Sequence, residues 1–184
     1  MFNQRCQDKS TNKDMASSNE IKIYDFSRFC LANLTKGISY KTSFSGMTIP
    51  ILYNETQNFA IKFPDAYLIR GLTIGEYGGH HIRAYWPENK DLDDFIGRFK
   101  KHLNVKEPDG TNLNEHGERV IYIQCPKTKD GLWDFKLFSP EKKELNPAQL
   151  GELISGTKVR FSLQPTPIWG NSFKWKLKFM FLVP

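Results

Sequence analysis

Nowhere in these 184 residues do about 18 apolar side chains follow one another, as a membrane-spanning helix requires. The opening stretch, Met1 to Glu20, is polar and charged and lacks the apolar core of a secretory leader. Both absences predict a soluble, non-secreted protein with no membrane partner. Cysteine is scarce too. Cys6, Cys30 and Cys125 stand far apart, form no Cys-x-x-Cys pair and are odd in number, which argues against a disulfide framework. A reducing, intracellular setting, cytoplasm or nucleus, is the expectation.

Catalytic signatures are missing as well. The chain has no phosphate loop ending in Gly-Lys-Ser or Gly-Lys-Thr, no Gly-x-Ser-x-Gly, no His-Glu-x-x-His and no Rossmann glycines. Histidine is thin at four residues; His80 and His81 would point to opposite faces of a strand, with no Cys, Asp or Glu at a ligand spacing. A non-enzymatic protein without cofactor or metal is expected. No internal repeat interrupts this picture.

What the chain does have is basic and aromatic. Lys plus Arg number 26 against 20 Asp plus Glu, a net charge of +6, and 14 Phe lift the aromatic share to 14%. Excess cation favours a polyanionic partner, and aromatics suit β-structure and stacking platforms. The length fits one domain with a tail. Residues 1–19 hold almost nothing to bury and read as a disordered tail, with one domain over 20–184. Tyr24 to Leu34 reads as a short amphipathic helix or an irregular packed arm. From Ser39 to Trp86, apolar β-type runs (Tyr40 to Phe44, Thr48 to Tyr53, Phe59 to Phe63, Tyr67 to Leu72) alternate with turn residues, a meandering antiparallel sheet. Leu92, Phe95, Ile96, Phe99 and Leu103 make one apolar helical stripe, with Asp91 as its expected cap. Strands are expected again at Arg119 to Gln124 and Leu132 to Phe138, and a short helix at Pro147 to Ile154.

The end of the chain carries the clearest pattern. Phe173, Trp175, Leu177, Phe179, Phe181 and Val183 alternate with Lys174, Lys176, Lys178, Met180 and Leu182, and Val159, Phe161 and Leu163 alternate with Lys158, Arg160, Ser162 and Gln164. Paired antiparallel with both apolar rows inward, the two strands would set Lys158, Arg160, Lys174, Lys176 and Lys178 on one face. Alternate lysines then sit roughly 6.8 Å apart, a ladder that a phosphodiester backbone can follow. A solvated face that discourages edge-to-edge pairing is the plainer alternative. Between the strands, Trp169 sits in a Pro-flanked loop, either capping the core or offering a ring to bases. Around residues 77–86, Arg83, Tyr77, Tyr85 and Trp86 are candidates to grip phosphates and bases.

The run Gly156-x-x-Val159-Arg160-Phe161-Ser162-Leu163, then Trp169-Gly170, then Phe173-Lys174-Trp175-Lys176-Leu177, resembles the last two strands of the OB-fold single-stranded DNA-binding proteins of phages and large DNA viruses. Ile49 to Tyr53 followed by Phe59-Ala60-Ile61 is similar to an early strand pair of that group. The resemblance implies a mainly β, α+β class: an OB-fold-like antiparallel β-barrel with one inserted amphipathic helix, reached in the order strand, strand, strand, helix, hairpin. It implies sequence-independent binding of single-stranded DNA in replication, recombination or repair, through Lys158, Arg160, Lys174, Lys176, Lys178 and Arg83, with stacking on Trp169, Trp86 and Tyr85. RNA, replication proteins and a second copy of the chain stay open as partners. If the protein is viral, it would act at the site of viral DNA replication. Several such proteins end in an acidic recruiting tail, whereas this sequence stops at Pro184; another recruiting surface or a trimmed end is implied. A small β-sandwich coat protein, or an RNA-binding module, is the alternative.

Overall fold

The computed structural model describes residues 20–42, 46–75, 78–106 and 111–184. The expected tail, 1–19, and the candidate Tyr77 lie outside the described residues. Strands β1 (Lys22–Asp25), β2 (Leu34–Lys36), β3 (Tyr40–Lys41), β4 (Met47–Ile49) and β5 (Ile51–Tyr53) lead into the long β6 (Phe59–Ile74). Then come β7 (His80–Trp86), α1 (Lys90–His102), β8 (Thr111–Leu113), β9 (Arg119–Gln124), β10 (Lys136–Phe138), β11 (Glu144–Leu145), β12 (Lys158–Pro165), β13 (Ile168–Trp169) and β14 (Trp175–Leu182).

Antiparallel pairing runs β14–β12–β6–β7–β9, and β9 returns to β14 in parallel through Ile123 opposite Trp175 and Gln124 opposite Lys176. That closure makes a five-stranded barrel, the architecture of an OB fold. The mainly β, OB-like class expected from the sequence is therefore the observed one, with one parallel pair in it. A sandwich is not: one sheet closes on itself where a sandwich keeps two. The helix departs from the expected order, since α1 follows β7, the second barrel strand.

Inside the barrel, Ile61, Phe63, Ile82, Ala84, Trp86, Ile121, Ile123, Phe161, Leu163, Trp175 and Leu177 are buried. Helix α1 stops one end with Leu92, Phe95, Ile96 and Phe99, an i, i+3, i+4, i+7 stripe; Phe99 lies 5.4 Å from Trp175 and Phe95 6.1 Å from Phe63 between ring centroids. Each such ring contributes about 1.5–3 kcal/mol on burial. Asn89, not Asp91, caps the helix: its side chain accepts from the Leu92 N–H, while Asp91 and Asp93 favour the positive end of the dipole. The segment from Phe26 to Asn33 forms two 3-10 turns, the irregular arm rather than a helix. Pro50 splits the expected strand over 48–53 into β4 and β5, whereas Pro64 is accommodated inside β6. There, opposite Phe161, β6 sets two residues, Phe63 and Pro64, against one, so a proline without an N–H sits in a bulge. Of the residues expected in a strand over 132–138, only Lys136 to Phe138 pair continuously.

A second bulge decides the closing strand. Between Ser162 and Leu163 the partner on β14 jumps from Phe179 to Leu177, leaving Lys178 as the extra residue. Alternation therefore shifts by one. Trp175 and Leu177 point inward before the bulge and Met180 after it, while Phe179 and Phe181 turn to the partly exposed side. The strict alternation expected from the sequence is corrected on that half of the strand. Cys125 is a buried free thiol, its pKa pushed up to about 12 by burial.

Candidate nucleic-acid interface

Because Ile82, Ala84 and Trp86 of β7 and Ile121 and Ile123 of β9 point inward, their alternates His81, Arg83, Tyr85, Tyr122 and Gln124 share the outer face. Register joins them to neighbouring strands. Arg70 of β6 stands opposite Arg83, and Arg83 opposite Tyr122, whose ring lies 5.2 Å from the Arg83 guanidinium carbon. One step along, Tyr67 of β6 stacks on Tyr85 with centroids 5.5 Å apart and planes 26° from parallel. At the other end, His81 faces Gln124 and Gln124 faces Lys176 of β14. The β12–β14 connection, which carries Trp169, leads into Lys176 at this end. Cations and flat rings thus share one outer face over three adjacent strands.

Electrostatics separates two groups of cations. Arg70 and Arg83 are exposed and directly opposed, and neither forms an ion pair among the described residues. Like charges placed opposite one another destabilise a sheet, so an anion over this pair relieves a built-in cost. The cations of β12 and β14 are instead partnered. Lys158 Nζ and Arg160 Nε lie 3.4 and 2.6 Å from Asp65, and Lys176 Nζ and Lys178 Nζ lie 2.9 and 3.0 Å from Asp134. Burial pushes the Asp65 carboxyl up, but the hydrogen bond and charge of Arg160, then those of Lys158, outweigh it and hold the group below its ordinary value. Asp134 behaves alike, burial being outweighed by the hydrogen bonds and charges of Lys176 and Lys178.

The residues nominated by sequence are distributed unevenly. Arg83 and Tyr85 lie on the β7–β9 face. Lys158 and Arg160 border it on β12, beside Asp65 and Tyr67. Lys174 is exposed, its backbone N–H held by the Thr166 hydroxyl, and Trp169 is 60% exposed at the tip of a hairpin closed by mutual Trp169–Ser172 backbone bonds. Gly170, at φ 61°, takes the left-handed turn position there. Two nominations are corrected. Lys178 is 8% exposed, because it is the bulge residue and lies under Asp134 of the loop before β10. Trp86 is 1% exposed: it faces the barrel interior, and its indole N–H donates to the Pro64 carbonyl at 3.1 Å, leaving no face for a base. Arg70, Tyr67 and Tyr122 were missed. Their sole sequence signal is outward parity on a strand with buried alternates. The small basic run at the end of α1 is structural in part, since His102 Nε2 lies 2.7 Å from the Leu34 carbonyl.

Among the described residues, no group of three His, Cys, Asp or Glu is placed to hold a metal ion, and no helix is long and apolar enough to cross a membrane. No protein-family model matches the chain, and no curated protein matches it. Solved structures do. The chain is similar to the single-stranded DNA-binding protein from bacteriophage Enc34 in complex with ssDNA, at 17% identity and a TM-score of 0.50, over 79% of this chain and 93% of that one. It is also similar to a C-terminal truncation of the Enc34 protein, at 16% identity and a TM-score of 0.48, over 83% and 94%. At such identity the likeness is one of fold alone.

Proposed function

We propose that this chain is a sequence-independent single-stranded DNA-binding protein without catalytic activity, acting inside the cell in replication, recombination or repair. The Arg70–Arg83–Tyr122 row carries the reading. It places two arginines, without carboxylate partners among the described residues, beside the exposed Tyr122 ring and the half-buried Tyr67 and Tyr85 on the first three barrel strands, of which OB folds use the second and third for oligonucleotides. Phosphates take the arginines, with Lys158 and Lys174 at the borders, and bases stack on Tyr122, Tyr85 and Tyr67. Rings and cations read no base edges, hence the lack of sequence preference. A neighbour in fold bound to ssDNA supports the same ligand.

The test is a fluorescence titration of the protein with matched single- and double-stranded oligonucleotides at two salt concentrations. Tighter binding of the single strand, weakening steeply with salt, is expected. Equal affinity for both forms, or none for either, would overturn the reading.

A further inference from the structure

Away from the β7–β9 face, one row of residues crosses five strands on the outside of the main sheet. Asp65 of β6 stands opposite Arg160 of β12, Arg160 opposite Phe181 of β14, Phe181 opposite Phe138 of β10, and Phe138 opposite Glu144 of β11. Directly opposed residues share a face, so the row reads acid, base, ring, ring, acid. The two rings stack, with centroids 4.8 Å apart and planes 11° from parallel. Phe179, one outward position back along β14, adds a third ring opposite Lys136. The rings of β14 face outward because the bulge at Lys178 shifts the alternation of that strand by one. All three phenylalanines are half-buried, and none is part of the core or of the side chains packed against it. Rings gathered at the surface off the core mark an interaction site.

Charge decides the partner. The cations bordering the rings are already held: Arg160 Nε lies 2.6 Å from Asp65, and Lys136 Nζ lies 3.0 Å from Glu144. A polyanion meets partnered charge here, in contrast to the Arg70–Arg83 row. An apolar centre with a rim of both signs is the pattern of a protein contact. The order of the row then names the protein. Arg160 and Glu144 flank the ring pair on opposite sides, three strand spacings or about 14 Å apart. Half a turn about an axis parallel to the strands, passing between Phe181 and Phe138, sets each Phe181 on the Phe138 of a second copy and each Arg160 on its Glu144. The same turn lays Lys136 over the Phe179 of the second copy, a cation above a ring. The row is complementary to itself.

We infer that the outer face of β10, β12 and β14 is the contact between two copies of this chain, an isologous dimer centred on Phe138 and Phe181 and held in register by Arg160 and Glu144. Five strands span about 19 Å, and the two ring rows cover about 7 Å along them, so the patch falls short of the roughly 800 Å² per partner of a standard interface. The dimer is therefore a reversible one. Neither β12 nor β14 pairs with β7, so association leaves the Arg83 face of each copy open. The inference does not rest on the DNA-binding reading.

Sedimentation equilibrium of the full chain without nucleic acid, from about 1 to about 300 µM, tests it. The mass is expected to rise with concentration from that of one chain, 21.4 kDa, towards that of two. Arg160→Glu and Glu144→Arg should each hold the mass at one chain, because each sets like charges against one another at both ends of the row. An equimolar mixture of these two variants should associate again, since opposite charges then meet at both ends. Phe138→Ala should also stay single; its ring lies off the core, so it and Glu144→Arg carry the test if Arg160→Glu, which loses the Asp65 pairing, does not fold. A wild type that stays single at every concentration would overturn the inference, as would a mixture of the two folded charge variants that fails to associate. Wild-type association by Glu144→Arg and Phe138→Ala, the result of edge-to-edge pairing through the β11 backbone, would overturn it too.

Discussion

Arg83 and Tyr122 stand opposite one another on β7 and β9, with the guanidinium carbon 5.2 Å from the ring centroid. The contact joins a charge that has no carboxylate partner among the described residues to a ring that is 42% exposed. Cation–π contact pre-orders both side chains for a ligand that needs each.

The two halves of that contact separate by salt dependence. Arg83→Ala should weaken single-strand binding and lower the slope of log affinity against log salt by about 0.7, one phosphate's worth. Tyr122→Ala should weaken it by about 1–3 kcal/mol with the slope intact. Titrations at several salt concentrations check both, and a slope changed equally by the two variants would contradict the assignment.

Lys178 belongs to the stability of the closing strand. Its burial lowers its own pKa first, against the hydrogen bond it donates to Asp134, which raises it. Lys178→Met should be within about 1 kcal/mol of wild type, or more stable, and should leave DNA affinity unchanged, because an apolar replacement of a buried ion loses no desolvation. Asp134→Ala, which strands the buried ammonium, should cost about 2–3 kcal/mol in denaturant unfolding. Lys174→Ala is the converse case, with affinity lost and stability kept.

Acid sensitivity follows from Asp65 and Asp134. Both carboxyls are held below their ordinary value in the folded protein. Their contribution is therefore complete above the unfolded carboxylate pKa of about 3.9 and is lost as pH falls through the lower folded values. Urea melts between about pH 5 and pH 2 should show a stability decline that Asp65→Asn and Asp134→Asn each make shallower. An unaltered decline in both variants would contradict it.

Local patterns were legible in the sequence where nothing distant could override them. The α1 stripe of Leu92, Phe95, Ile96 and Phe99 and the strand Arg119–Gln124 emerged as read, because period and burial were set within one element. Lys178 was not legible: the bulge that buries it arises from register against β12, a property of two strands. Trp86 looked like a surface ring among Arg83 and Tyr85, yet its parity matches Ile82 and Ala84, and its N–H partner is Pro64, far back in the chain. Arg70, Tyr67 and Tyr122 became site residues by cross-strand pairing alone. The OB class survived these errors, since two paired basic-aromatic strands and one amphipathic helix suffice to suggest it.

Photocrosslinking tests most directly the central claim that a single strand runs over the β7–β9 face. With 5-bromodeoxyuridine oligonucleotides and peptide mapping, the account predicts adducts at Tyr122, Tyr85 or Tyr67. Adducts confined to Phe138, Phe179 and Phe181 on the outer side of β14 and β10, with the tyrosines unmodified, would contradict it.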